Sequence, residues 1–190
     1  MNRFVTVAGI SVMSVVLIAC SGGAPTSPSS FQGATPTGRF FAVDEGPYTS
    51  GDANFLSVAS KMHQAFIQIS RIAESQSAHP LLKMFAQQMV QENQERLDIL
   101  RASTRNVVSQ NVTLEANHQT LLNQVMATSG NEADRAYANG LLPELQAMLA
   151  LYQQEASNGS SRVIREIAND FVDRLSNYLE QLQEIAARVR

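Results

Sequence analysis

The stretch SRVIREIANDFVDRLSNYLEQLQEIAARV, residues 161–189, reads as one helix. Ile164, Ala168, Phe171, Leu175, Tyr178, Leu182, Ile185 and Val189 recur at steps of three and four, so they share one face of a 3.6-residue period. Ser161 supplies a capping hydroxyl at its start. Three segments upstream carry the same period. Residues 52–75 present Phe55, Ala59, Met62, Phe66, Ile69 and Ala73. Residues 80–105 present Leu82, Phe85, Met89, Asn93, Leu97 and Leu100. Residues 131–157 present Ala133, Tyr137, Leu141, Leu145, Met148, Tyr152 and Ala156. Pro80 suits the first turn of a helix, Gly130 and Asn158-Gly159 bound the 131–157 segment, and Pro143 inside it predicts a kink. A shorter segment, 115–128, carries His118, Leu121, Leu122, Val125 and Met126. The pairs Glu92/Arg96, Arg162/Glu166 and Asp170/Arg174 lie four apart and are expected on exposed helix faces.

Four long helices, each with one apolar face, bury those faces against each other. The expected fold is all-α: a four-helix bundle over residues 52–190 with one extra short helix. A helix of about 25 residues is ~37 Å long. The short link between the first two makes them antiparallel neighbours. The longer link before the 131–157 helix reads as a crossover along the bundle.

The chain ahead of the bundle has a different character. Residues 20–51 are rich in Ser, Thr, Gly and Pro without helical or alternating period, which predicts a flexible linker spanning ~30 Å on average. Within it, Phe40-Phe41-Ala42-Val43 is read as docking on the bundle, with a short recognition segment as the alternative. Residues 1–19 carry Arg3, then the mostly apolar run Phe4–Ile18, then Leu17-Ile18-Ala19-Cys20. The run is short for a spanning helix of ~20 residues and right for a signal peptide. Leu17, Ile18, Ala19 and Cys20 resemble a bacterial lipobox, and Cys20 is the only cysteine. Its thiol would take a diacylglycerol thioether and, as the new N-terminus, a palmitate-type acyl chain. Each buried CH₂ is worth ~0.8 kcal/mol, so two or three chains make a stable membrane anchor. Ser21, not Asp, follows Cys20. By resemblance to Gram-negative lipoproteins this implies the periplasmic face of the outer membrane.

Composition narrows the function. The 190 residues are 44% hydrophobic, with 14 Lys+Arg against 17 Asp+Glu and a net charge of −3, so a broad basic footprint for nucleic acid is excluded. One cysteine excludes an internal disulfide and any CxxC motif. There is no Gly-x-Ser-x-Gly elbow, and the Gly-rich spots at 21–23 and 158–161 lack the Lys of a phosphate loop. No catalytic constellation is present, and the only expected cofactor is the covalent lipid on Cys20. The Arg residues of the last helix alternate with acids, which predicts a solvated face.

A di-iron bundle needs several inward carboxylates and two Glu-x-x-His pairs. This chain has one such spacing, Glu115 to His118. With Glu144 and Glu92 these are the weak metal candidates. Their ordinary roles are a helix N-terminus for Glu115 and packing or capping for His118. Asn93, in an apolar stripe, is expected to be buried and bonded to a neighbour such as Tyr178. His63 and His79 are expected to be exposed or in loops.

Three segments also carry a family resemblance. FAQQMVQEN (85–93), His118-Gln119-Thr120-Leu121-Leu122 and Asp134-Arg135-Ala136-Tyr137 are similar to the bacterial family called domain of unknown function 4142, over about residues 52–187. The resemblance implies a ferritin-like helical bundle, often exported and sometimes a lipoprotein, with no settled activity. Relatives often carry His where this chain has Asn93, an acidic–His pair where it has Glu144-Leu145, and a His before Leu where it has Tyr178-Leu179. An acidic residue is common near Phe66 or Gln68. If those groups hold a metal in relatives, this chain has lost most of the site. The expected role is non-enzymatic: an anchored envelope lipoprotein that binds a partner protein or small ligand, or self-associates through a bundle face. The alternative is a ferritin-like metal-binding stress or oxidation protein with a degenerate site.

Overall fold

The computed structural model describes residues 48–104 and 113–189. These carry five helices and no strand: α1 (Ser50–Gln76), α2 (Pro80–Ser103), α3 (Ala116–Met126), α4 (Asn131–Asn158) and α5 (Arg162–Arg188). The leader with Leu17, Ile18, Ala19 and Cys20, and the Phe40–Val43 segment, lie outside the described residues. Among the described residues no helix is long and apolar enough to cross a membrane.

The first helix begins before residue 52. Thr49 caps it: its hydroxyl accepts from the Asp52 N–H at 3.2 Å, and the Asp52 carboxylate accepts from the Thr49 N–H at 3.0 Å. Tyr48 already packs on the core. The last residues assigned to the linker therefore belong to the bundle. Thr49→Ala removes the hydroxyl half of this box and is expected to lower stability by ~1 kcal/mol. Urea unfolding should show a lower midpoint with an unchanged slope.

The α1–α2 and α4–α5 hairpins are the closest helix pairs, and α2 meets α5 along a much sparser seam. Residues at the end of α1 meet the start of α4, as in the Gly130 N–H to Gln76 C=O bond, while Asp52 meets the turn after α4. Helix α4 is therefore antiparallel to α1 and parallel to α2. Residues 104 and 130 therefore lie at opposite ends of the bundle, and α3 packs between them against α1 and α4. A single long crossover of this kind is the connectivity of ferritin-like bundles. Gly140 makes the docking of α3 possible: a Cβ there would lie 2.1 Å from the Leu121 side chain. Gly130 opens α4 at φ +59°, a conformation that favours glycine. Pro143 sits inside α4 without ending it.

Packing explains one departure from the expected pattern. With α2, α3 and α4 all against it, α1 buries far more than one stripe. Leu56, Ser60, His63, Ile67 and Ser70 form a second buried row beside Phe55, Ala59, Met62, Phe66, Ile69 and Ala73. Each large apolar side chain buried in this way stabilises the fold by roughly 1.5–3 kcal/mol.

Candidate functional site

His63, expected on the surface or in a loop, is fully buried in the middle of the bundle. It belongs to that second row of α1, which faces α4. The row continues at intervals of seven through Ser70 to Ser77, and each carries a polar tie to α4. Ser77 donates to Asp134, Ser70 and Tyr137 share a 2.8 Å hydrogen bond, and His63 meets Tyr152.

The orientation of His63 follows from its neighbours. Asn93 of α2 donates its amide N–H to the Met89 carbonyl at 2.7 Å. Its oxygen then faces His63 Nδ1 at 2.7 Å, so Nδ1 carries the proton and donates. Nε2 is left with a lone pair, and the Tyr152 hydroxyl donates to it at 2.5 Å. Asn93 is thus buried as expected, but its partners are His63 and Met89 rather than Tyr178. Burial holds His63 down to about 3, with the nearby Arg96 charge acting in the same direction and the Asn93 bond against it. Burial pushes the Tyr152 phenol well above its usual range.

Arg96 is the second unexpected core residue, 2% exposed. Its guanidinium carbon lies 4.3 Å over the Phe171 ring, and Nη2 reaches Asp170 of α5 at 3.5 Å. Nε and Nη1 are buried without hydrogen-bond partners. The expected Glu92/Arg96 and Asp170/Arg174 pairs are exchanged: Arg96 turns to Asp170, and Arg174 bonds Glu92 at 3.0 Å, both across the α2–α5 seam. Burial alone would lower Arg174, but its bond to Glu92 raises it. Tyr178, beside Glu92, is pushed up to about 12 by burial and by that carboxylate. Of the three expected pairs, Arg162/Glu166 alone forms along its own helix, at 3.7 Å.

The metal candidates scatter. His118 and Glu144 meet, Nε2 to Oε2 at 3.0 Å, with Asn117 also donating to Glu144. His118 packs its ring edge-on to Phe66. Glu115 turns to Lys61 at 3.1 Å, and Glu92 belongs to the α2–α5 seam. Among the described residues no three His, Cys, Asp or Glu side chains are grouped to hold a metal ion. The interior donor set does not suit a di-iron centre either. The long helices meet there on a neutral imidazole, an amide, a phenol and a guanidinium, not on carboxylates.

A cleft of about 170 Å³ lies where α1 begins and α4 ends, lined by Thr49, Asp52, Phe55, Gln154, Glu155 and Asn158 among others. Asp52 Oδ2 accepts from the N–H and hydroxyl of Thr49. Its Oδ1 accepts from the N–H groups of Ser160 and Ser161. It thereby ties the α4–α5 turn to the start of α1. Burial would raise this carboxylate, but the four hydrogen bonds hold it down at about 2. Glu155 beside it is pushed up to about 7 by burial and by Asp52, with Arg165 opposing. Arg165, expected on a solvated face, donates to the carbonyls of Gly159 and Ser160.

The family described as Domain of unknown function (DUF4142) matches residues 42–185, and the chain belongs to it. No curated protein and no solved structure matches the chain.

Proposed function

We propose that the chain is a lipid-anchored envelope protein whose bundle serves as a non-enzymatic scaffold for a partner protein or small ligand. The observation that carries the scaffold reading is the interior: Arg96, neutral His63, Asn93 and Tyr152 fill the place where a metal-dependent bundle would put carboxylates. The anchor reading is supported by Leu17-Ile18-Ala19-Cys20 and the lone cysteine, with the outer membrane as the site and palmitate-type lipid on Cys20. The alternative, a metal-binding stress protein, is favoured only by the His118–Glu144 contact.

Two measurements test this. Cys20→Ser should move the protein from the membrane pellet to the soluble fraction and abolish labelling by a palmitate analogue; unchanged membrane retention would overturn the anchor. Metal analysis of the full chain, purified without chelator, should find no transition metal near stoichiometry. A bound metal lost from His118→Ala/Glu144→Ala, together with a chelator-sensitive melting temperature, would establish the alternative instead.

A further inference from the structure

We propose that Tyr152 and His63 form a proton-coupled electron donor, a buried phenol that gives one electron to a strong one-electron oxidant while its proton passes to the imidazole. This goes beyond the scaffold reading and does not depend on it. The geometry defines the step. The Tyr152 O–H already points at the Nε2 lone pair, because Asn93 holds the other ring nitrogen as an N–H donor. On oxidation the Tyr152 O–H bond breaks, a bond to His63 Nε2 forms, and one electron leaves to the oxidant. The products are a neutral phenoxyl and an imidazolium whose two N–H groups donate to Tyr152 and Asn93. An electron returned by a small-molecule reductant, such as a thiol, reverses both transfers.

Three features set this pair apart. The chain has no Trp and four Tyr, so an electron hole on an aromatic ring settles on tyrosine. Tyr137 faces the Ser70 hydroxyl, which is no base at neutral pH, while Tyr178 faces Glu92, whose charge is already engaged by Arg174 across the α2–α5 seam at 3.0 Å. Tyr152 is fully buried, with the rings of Phe55 and Phe171 edge-on to it at 5.0 and 5.2 Å, which keeps its phenoxyl from coupling to another phenol. The guanidinium of Arg96 acts on the pair as well. Its charge makes the imidazolium an unfavourable resting state, so the proton returns with the electron. It also raises the potential needed, so only strong oxidants react.

The test uses the purified full chain, flash-photolysed ruthenium tris(bipyridine) with a sacrificial acceptor, and phenoxyl detection by transient absorption and electron paramagnetic resonance. The unmodified chain should give a long-lived tyrosyl radical that forms more slowly in D₂O. Tyr152→Phe should abolish the long-lived signal, whereas Tyr178→Phe should leave it. His63→Gln keeps an acceptor but no base, and should slow oxidation by about a hundredfold, the low end of a general-base contribution because burial leaves His63 a weak base. A long-lived radical that survives Tyr152→Phe would overturn the proposal. So would a wild-type oxidation rate unchanged in D₂O, which needs no variant to fold.

Discussion

Asp170→Asn will destabilise the bundle by about 2 kcal/mol, whereas Arg96→Met will leave its stability within about 1 kcal/mol of the parent or raise it. The asymmetry arises from where the two charges sit. The Arg96 side chain is 2% exposed and the Asp170 side chain 22%. Removing the acid takes from the buried guanidinium the carboxylate it reaches, a change that costs about 3–5 kcal/mol when both partners are fully buried. Access of water to Asp170 reduces that figure. Removing the base instead eliminates two buried donors without partners, Nε and Nη1, each worth about 1–3 kcal/mol of penalty. Against this stands the loss of the contact with Phe171, about 1–2 kcal/mol for a desolvated cation over a ring. Methionine also refills most of the volume. Urea unfolding of both variants at neutral pH checks the pair. Equal losses in the two would mean that Arg96 stabilises the core by pairing, and the account of its burial would fall.

Much of this architecture was legible in the sequence because helix period and breakers are local signals. The stripes from Phe55 to Ala73 and from Ile164 to Val189 are buried as read, and Gly159 and Gly130 stand at helix ends. What a stripe does not tell is how many neighbours a helix has. Helix α1 meets three helices, so its buried arc is wide enough to take in His63, which a single stripe leaves outside. The seven-residue recurrence of His63, Ser70 and Ser77 was a signal for that second row. Arg96 carried a signal too: it follows Asn93 by three and precedes Leu100 by four, on the apolar stripe itself. Charge type argued for the surface, and the local pairing rule supplied Glu92 as a partner. Across the α2–α5 seam, inter-helix partners displaced the local ones, and nothing in one helix's sequence encodes its neighbour's register. The Asp52–Glu155 cleft was invisible for the same reason, since its two acids lie on different helices.

His63→Gln will gain about 2 kcal/mol of stability as the pH falls from 6.5 to 4.5, Glu155→Gln will lose about 2 kcal/mol over the same range, and the parent chain will change little. The two groups titrate in opposite senses. His63 is held at about 3 in the folded chain, against 6.5 unfolded. Below pH 6.5 the unfolded chain takes up a proton that the folded chain refuses, so this contribution to stability is lost as the pH falls toward 3. Glu155 is raised to about 7, against 4.5 unfolded. The folded chain keeps its proton where the unfolded chain releases it, so this contribution is complete below pH 4.5 and disappears as the pH rises through 7. Each unit of pH between the two values shifts stability by at most ~1.4 kcal/mol per group. Over two units the slopes nearly cancel, and relaxation around the cleft brings each total to about 2 kcal/mol. Glutamine at either position keeps a hydrogen-bonding side chain without a titrating group, so each variant exposes the slope of the other residue. Below pH 4.5 the Asp52 caps join the loss, because that carboxylate is held at about 2 in the fold against 3.8 unfolded. All three proteins should then fall steeply together, the His63→Gln variant least. Melting temperatures from pH 3.5 to 8 in one buffer series decide the matter. Parallel profiles would mean that neither group is coupled to folding, and that a neutral imidazole at the centre of the bundle is not what its burial requires.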